Sequence, residues 1–141
     1  MKVFVDTNVL LDVLARRELF YADAVRIWSL AERGRLEALV SVISFNNVYY
    51  VVRRASNRKS AEKSLRLMRD IFTPVPLSVQ ILNQAIDAGY NDLEDAIQFH
   101  SAIHAEAGCL ITRDADHFPA SDSVTGVFAQ RARNNEHGDS S

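Results

Sequence analysis

The sequence predicts an α/β fold, a three-layer α/β/α sandwich around a central parallel sheet of four to five strands. Three observations lead there. Short apolar segments rich in β-branched and aromatic residues occur at residues 2–5, 38–41 and 109–112. Between them apolar residues recur at helical spacing, so strands alternate with helices, as parallel strands require of their crossovers. Finally, 141 residues with 48% apolar content can bury one core and leave nothing over for a second.

The elements follow in order. Residues 2–5 read as a buried strand, and Asp6-Thr7-Asn8 then opens a helical pattern carried by Val9, Leu10, Val13 and Leu14. Asp6 therefore stands where a strand ends and a helix begins. A second helix is expected over 21–33, stopped by Gly34, and a second strand over 38–41. Ser44 starts a third helix through Asn46, Asn47, Tyr50 and Arg54; Ser56-Asn57 breaks it, and a basic amphipathic helix runs on to Ile71. Pro74 and Pro76 limit 73–77 to a short extended segment, because proline fixes φ and removes a ladder donor. Helix returns over 78–88 and closes at Gly89. Asn91 or Asp92 caps the next helix, with Glu94 and Asp95 in its first turn, where the dipole favours acids, and its end is expected near Gly108. Residues 109–112 form the third clear strand, ending in Arg113-Asp114, and 124–127 a last short one. This gives one domain over 1–133 and a polar, disordered tail over 134–141.

Composition removes several classes. The longest apolar run, Val48-Tyr49-Tyr50-Val51-Val52, is far short of the roughly 20 residues that span a bilayer, so no membrane role is expected. An acidic residue at position 6 interrupts any secretory apolar stretch, and Cys109 alone makes neither an internal disulfide nor a thiolate zinc site; both favour the cytoplasm. A net charge of −2 argues against coating nucleic acid by bulk basicity. The charge is nevertheless segregated. Arg53, Arg54, Arg58, Lys59, Lys63, Arg66 and Arg69 face only Glu62 and Asp70 in one stretch, whereas Arg113 is the lone base among the acids between Asn83 and Phe118. Such a pattern suits either solvated helix faces or an acidic cation site with a basic rim for a polyanion.

In open parallel sheets ligands bind beyond the carboxyl ends of the strands. Asp6 and Asp114 both follow strands, and Asp95 begins the helix leading into the strand before Asp114, so all three are expected at that edge. Each has a dull explanation alone: cap, dipole partner, turn residue. Together they would repel unless a proton or cation joined them, and oxygen-only ligands suit Mg²⁺ or Mn²⁺. Other chemistry fits poorly. Asn8 breaks the Asp-x-Asp of a haloacid-dehalogenase-type phosphatase, and five isolated glycines form no phosphate loop. His100 and His104 share a helix face without the His-Glu-x-x-His pattern, and Cys109 reads as a small buried apolar residue. Trp28, Tyr49, Tyr50 and Phe99 read as core or dimer-surface aromatics.

With these residues in place the chain resembles the PIN domain family, particularly the VapC-type toxin ribonucleases of toxin–antitoxin pairs. The resemblance rests on Val-Phe-Val-Asp-Thr-Asn-Val-Leu-Leu-Asp, on Ser-Val-Ile-Ser-Phe-Asn-Asn-Val-Tyr-Tyr, and on Asp-Leu-Glu-Asp-Ala-Ile-Gln followed by Leu-Ile-Thr-Arg-Asp-Ala-Asp-His-Phe. It implies an endoribonuclease dependent on Mg²⁺ or Mn²⁺, often dimeric, and silenced by a cognate antitoxin. The family's acids match Asp6, Asp95 and Asp114 as metal ligands, with Asp116 close enough to compete for the last role and Thr112 steadying a carboxylate or water. Arg53, Arg54, Arg58, Lys59 and Lys63 would then contact the RNA backbone. Where many members carry Glu on the third helix, this chain has Asn47, which can still orient a ligand but brings no charge. Glu94 is not expected to replace it, because adjacent helix residues point about 100° apart. The departure keeps a second reading open, a PIN-like module that binds RNA or protein without cleaving.

Overall fold

The computed structural model describes residues 1–113 and 125–127. Among the described residues eleven elements follow one another as expected: β1 (Lys2–Val5), α1 (Thr7–Leu14), α2 (Glu18–Glu32), β2 (Glu37–Ser41), α3 (Val42–Ala55), α4 (Arg58–Ile71), β3 (Thr73–Val75), α5 (Val79–Asp87), α6 (Leu93–His104), β4 (Cys109–Ile111) and β5 (Thr125–Val127). The strands form one sheet in the order β3-β2-β1-β4-β5, every pair parallel. The first strand therefore lies at the centre, with Val3 opposite Ala38 on one side and Cys109 on the other.

The pleat builds the layers, because alternate residues of a strand face opposite sides. Val3, Val5, Ala38, Val40, Cys109 and Ile111 point into a core shared with Leu10, Trp28, Val48 and Met68 of helices α1 to α4. Phe4, Leu39 and Leu110 point the other way, onto Phe99 and Ala102 of α6. Burial on both faces explains why these strands read as unbroken apolar runs. Trp28 meets Phe72 edge to face, with ring centroids 4.8 Å apart.

Element boundaries shift from the sequence reading for identifiable reasons. Arg16, at φ 49°, turns the chain early, so α2 starts at Glu18 rather than at residue 21. Ser41 accepts a hydrogen bond from the Ile43 amide and caps α3, which thus begins two residues before Ser44. The last acidic helix stops at His104, short of Gly108, because Glu106 adopts φ 57°. Gly34 and Gly89, both at φ 72°, end their helices as anticipated. No helix among the described residues is long and apolar enough to cross a membrane. Asp114, Asp116 and the 134–141 tail lie outside the described residues.

The break at Ser56-Asn57 is a built cap. The Asn57 side chain accepts from the Ser60 amide at 2.8 Å, satisfying one orphan donor at the start of α4. Asn57→Ala should cost about 1 kcal/mol of stability in denaturant unfolding, with little change in the slope.

Candidate active site

Three helices begin at the carboxyl edge of the sheet, and their first two turns, with Thr112 just beyond β4, assemble the site. Asp6 occupies the N-cap position of α1, but its side chain makes no capping hydrogen bond. Its backbone amide instead bonds the Ile111 carbonyl at 2.9 Å, tying the end of β1 to the end of β4. The Asp6 carboxylate is 2% exposed and accepts a 2.8 Å hydrogen bond from the Thr112 hydroxyl.

Around it lies a polar network with no described basic side chain. Gln98 of α6 is 1% exposed and bonds Thr7 twice: its Oε1 accepts from the Thr7 amide, and its Nε2 donates to the Thr7 hydroxyl, both at 3.2 Å. The Thr7 hydroxyl also lies 2.7 Å from the Ser44 hydroxyl of α3 and 3.1 Å from Oε1 of Glu94. Asn47 turns its amide nitrogen to the same Glu94 oxygen. Neighbouring Asn46 is exposed, so of the two asparagines only Asn47 enters the site.

Burial raises the Asp6 pKa above its ordinary value. The Thr112 hydroxyl, Gln98 and the nearby Asn8 amide pull it back, while the Glu94 charge pushes it further up. A buried carboxylate beside a second negative charge fits a site that gains a cation. The donors are all oxygen, from Asp6, Glu94 and the Asn47 amide, as a hard divalent ion prefers. Among the described residues no three acidic, imidazole or thiol side chains are grouped closely enough to form a metal site by themselves. Asp114 and Asp116, the other two expected ligands, fall outside that set.

The remaining candidates are placed as follows. Asp95 sits half-buried in the first turn of α6, where its amide donates to Asp92 Oδ1 at 3.1 Å. Burial and then the Asp95 charge raise the pKa of the neighbouring Tyr90 phenol. Arg53 and Arg54 occupy the last turn of α3, roughly 9 Å along the helix axis from Asn47, and Arg58, Lys59 and Lys63 follow on α4. All five are exposed, and none bonds Asp6 or Asn47. Arg58 is paired with Glu62 at 3.2 Å, and the Arg53 guanidinium lies 6.0 Å from the Tyr49 ring centre. His104 bonds Gln84 at 2.8 Å, consistent with a structural role.

Glu94, which is not expected to replace a glutamate at position 47, nevertheless bonds both Asn47 and Thr7. Adjacent residues of α6 do diverge by about 100°, but Gln98 docks the helix so that the Glu94 face meets α1 and α3. Gln98 and Ser44 are not among the expected site residues, and Thr7 enters there only as the residue that follows Asp6 in the motif. The available signal was Gln98, a polar residue inside the run Ala96-Ile97-Gln98-Phe99 and one turn beyond Glu94.

A family model described as PIN domain matches residues 2–116. Ribonuclease VapC1 of Aquifex aeolicus (strain VF5) is 26% identical over 120 residues, covering 82% of this chain and 81% of that protein. Among solved structures, VapBC2 from Rickettsia felis bound to a promoter DNA fragment superposes with a TM-score of 0.68 at 14% identity, over 92% of this chain and 99% of that one. VapC20 of Mycobacterium tuberculosis, described as a Sarcin-Ricin loop cleaving toxin, gives 0.64 at 12% identity, over 77% and 86%. The structural likenesses support the parallel-sheet fold, and the family match extends from β1 through the acidic helix and β4. On that match the chain belongs to the PIN domain family.

Proposed function

We propose that this protein is an endoribonuclease that hydrolyses RNA phosphodiester bonds with Mg²⁺ or Mn²⁺, acting as the toxin of a type II toxin–antitoxin pair. The observation that carries the reading is the Asp6 carboxylate, buried at the sheet edge, held by Thr112 and set beside a second acid without a basic partner in its described surroundings. Asp6, Asp95 and Asp114, with Asp116 near the last, are the residues that would hold the ion. Bound there, a divalent ion lowers the pKa of water and offsets charge gathering on the phosphate oxygens.

The chain's own part is positioning. Thr112 anchors the Asp6 carboxylate through one of its oxygens. Gln98 locks α6 against α1, so the acids of the α6 first turn keep their distance from Asp6. Asn47 supplies polar support from α3. Arg53, Arg54, Arg58, Lys59 and Lys63 would grip backbone phosphates, adding affinity without choosing sequence.

The relatives support the remaining parts of the proposal. A further solved structure of similar fold is described as a toxin–antitoxin complex from Klebsiella pneumoniae, so a cognate antitoxin is proposed here, and a cytoplasmic setting with it. Exposed Tyr50, Val79 and Ile86 offer apolar surface to a second copy, in line with a homodimer.

Purified protein incubated with a structured RNA should cleave it in Mn²⁺ and not in excess EDTA. Equal cleavage in EDTA would overturn the metal mechanism. Retention of RNA without cleavage in Mn²⁺ would favour the second reading, a binding module, which the uncharged Asn47 motivates.

A further inference from the structure

We infer that Glu94 supplies from α6 the carboxylate that Asn47 does not supply from α3, so the site keeps a negative charge where these two helices face each other. This rests on the metal-nuclease reading above.

The first argument is convergence. The Asn47 amide and the Thr7 hydroxyl both donate to Oε1 of Glu94, fixing the carboxylate through a single oxygen. Oε2 makes no hydrogen bond among the described residues and is the oxygen left for a cation. None of the ion pairs among the described residues involves Glu94.

The second argument is placement. Glu94 and Gln98 are one turn apart on α6, and Gln98 is buried against Thr7, the residue after Asp6. The helix face carrying Glu94 is thereby held against the start of α1, at the residue next to Asp6. A carboxylate held in that position, with one oxygen uncommitted, is a ligand rather than a surface group.

The third argument concerns position 47 itself. A glutamate there would meet Glu94 within hydrogen-bond contact, and two carboxylates facing each other repel. An asparagine gives Glu94 a donor instead. The amide at 47 and the acid at 94 therefore make sense as a pair, and each explains the other.

The experiment is Mn²⁺ titration calorimetry on three full-length proteins, with melting temperatures recorded in EDTA. Wild type should bind Mn²⁺. Glu94→Gln keeps an acceptor for Asn47 and Thr7, so it should melt near wild type in EDTA while losing at least about tenfold in Mn²⁺ affinity. The double variant N47E/E94Q returns the acid to α3 and reverses the same hydrogen bond. It should recover affinity to within a few-fold of wild type, and it keeps the test decisive if the single variant folds badly. Wild-type affinity in Glu94→Gln, or no recovery in the double variant, would make Glu94 a structural tie and end the inference, leaving the nuclease reading intact. Failure of wild type itself to bind Mn²⁺ would remove both.

Discussion

Asp6→Asn should leave a folded protein that has lost more than about 100-fold of its Mn²⁺-dependent RNA cleavage. That bound follows from the 10–100-fold that removing even an outer partner of a metal ligand costs, since a ligand itself should cost more. The same substitution should not destabilise the fold. Asp6 is 2% exposed, and its carboxylate is desolvated beside another negative charge. The neutral isostere removes that penalty, while its carbonyl oxygen can still accept from Thr112. The melting temperature in EDTA should therefore equal or exceed that of wild type, a trade of stability for activity common at functional sites. A variant that melts well below wild type would show that the acid is structural. A variant that still cleaves at wild-type rate would exclude Asp6 from the chemistry.

The largest stability effect should come from a different acid. Asp12 of α1 is 1% exposed and lies 3.3 Å from the Arg113 guanidinium and 3.7 Å from that of Arg17. Arg113 is also stacked over the Phe20 ring, 4.0 Å from its centre, so its head is fixed on two sides. Removing one partner of a buried pair leaves the other uncompensated, which costs about 3–5 kcal/mol. Arg17 is one-third exposed and Arg113 less so, and both can recover some water, so Asp12→Ala should fall near the lower end, about 3 kcal/mol, in urea unfolding. The exposed pair Arg58–Glu62 is the internal control. Glu62→Ala should change stability by no more than about 0.5 kcal/mol, because water screens that pair already. Similar losses in the two variants would mean that burial does not govern the Asp12 pair.

Much of this was legible in the chain because local and global signals agree. Val3, Phe4 and Val5 are all buried, and their uninterrupted apolar character announced a strand covered on both faces. Gly34 and Gly89 mark helix ends because the backbone there needs positive φ. Asn57 and Ser78 announce caps by chemistry alone. The order of strands was not legible, since nothing in residues 2–5 says that β2 and β4 will flank them.

The site was legible only in part. Asp92, Glu94 and Asp95 crowd one first turn, and all three satisfy the helix dipole equally well. Which of them looks toward Asp6 depends on how α6 is rotated, and a tertiary contact sets that rotation, the Gln98–Thr7 pair. Local pattern carries only one trace of it, the polar Gln98 inside an apolar run. Boundaries failed for the same kind of reason: Arg16 and Glu106 take positive φ without being glycine, so no residue type flagged the turns.

The outer strand β3 has three residues, with Pro74 in the middle opposite Val40. A proline there cannot donate a ladder hydrogen bond, and three residues are too few to template a partner. That flank of the sheet is thereby closed to amyloid-like stacking and to donor-strand capture. On that side a neighbour would have to meet the helices, because no strand can be added there.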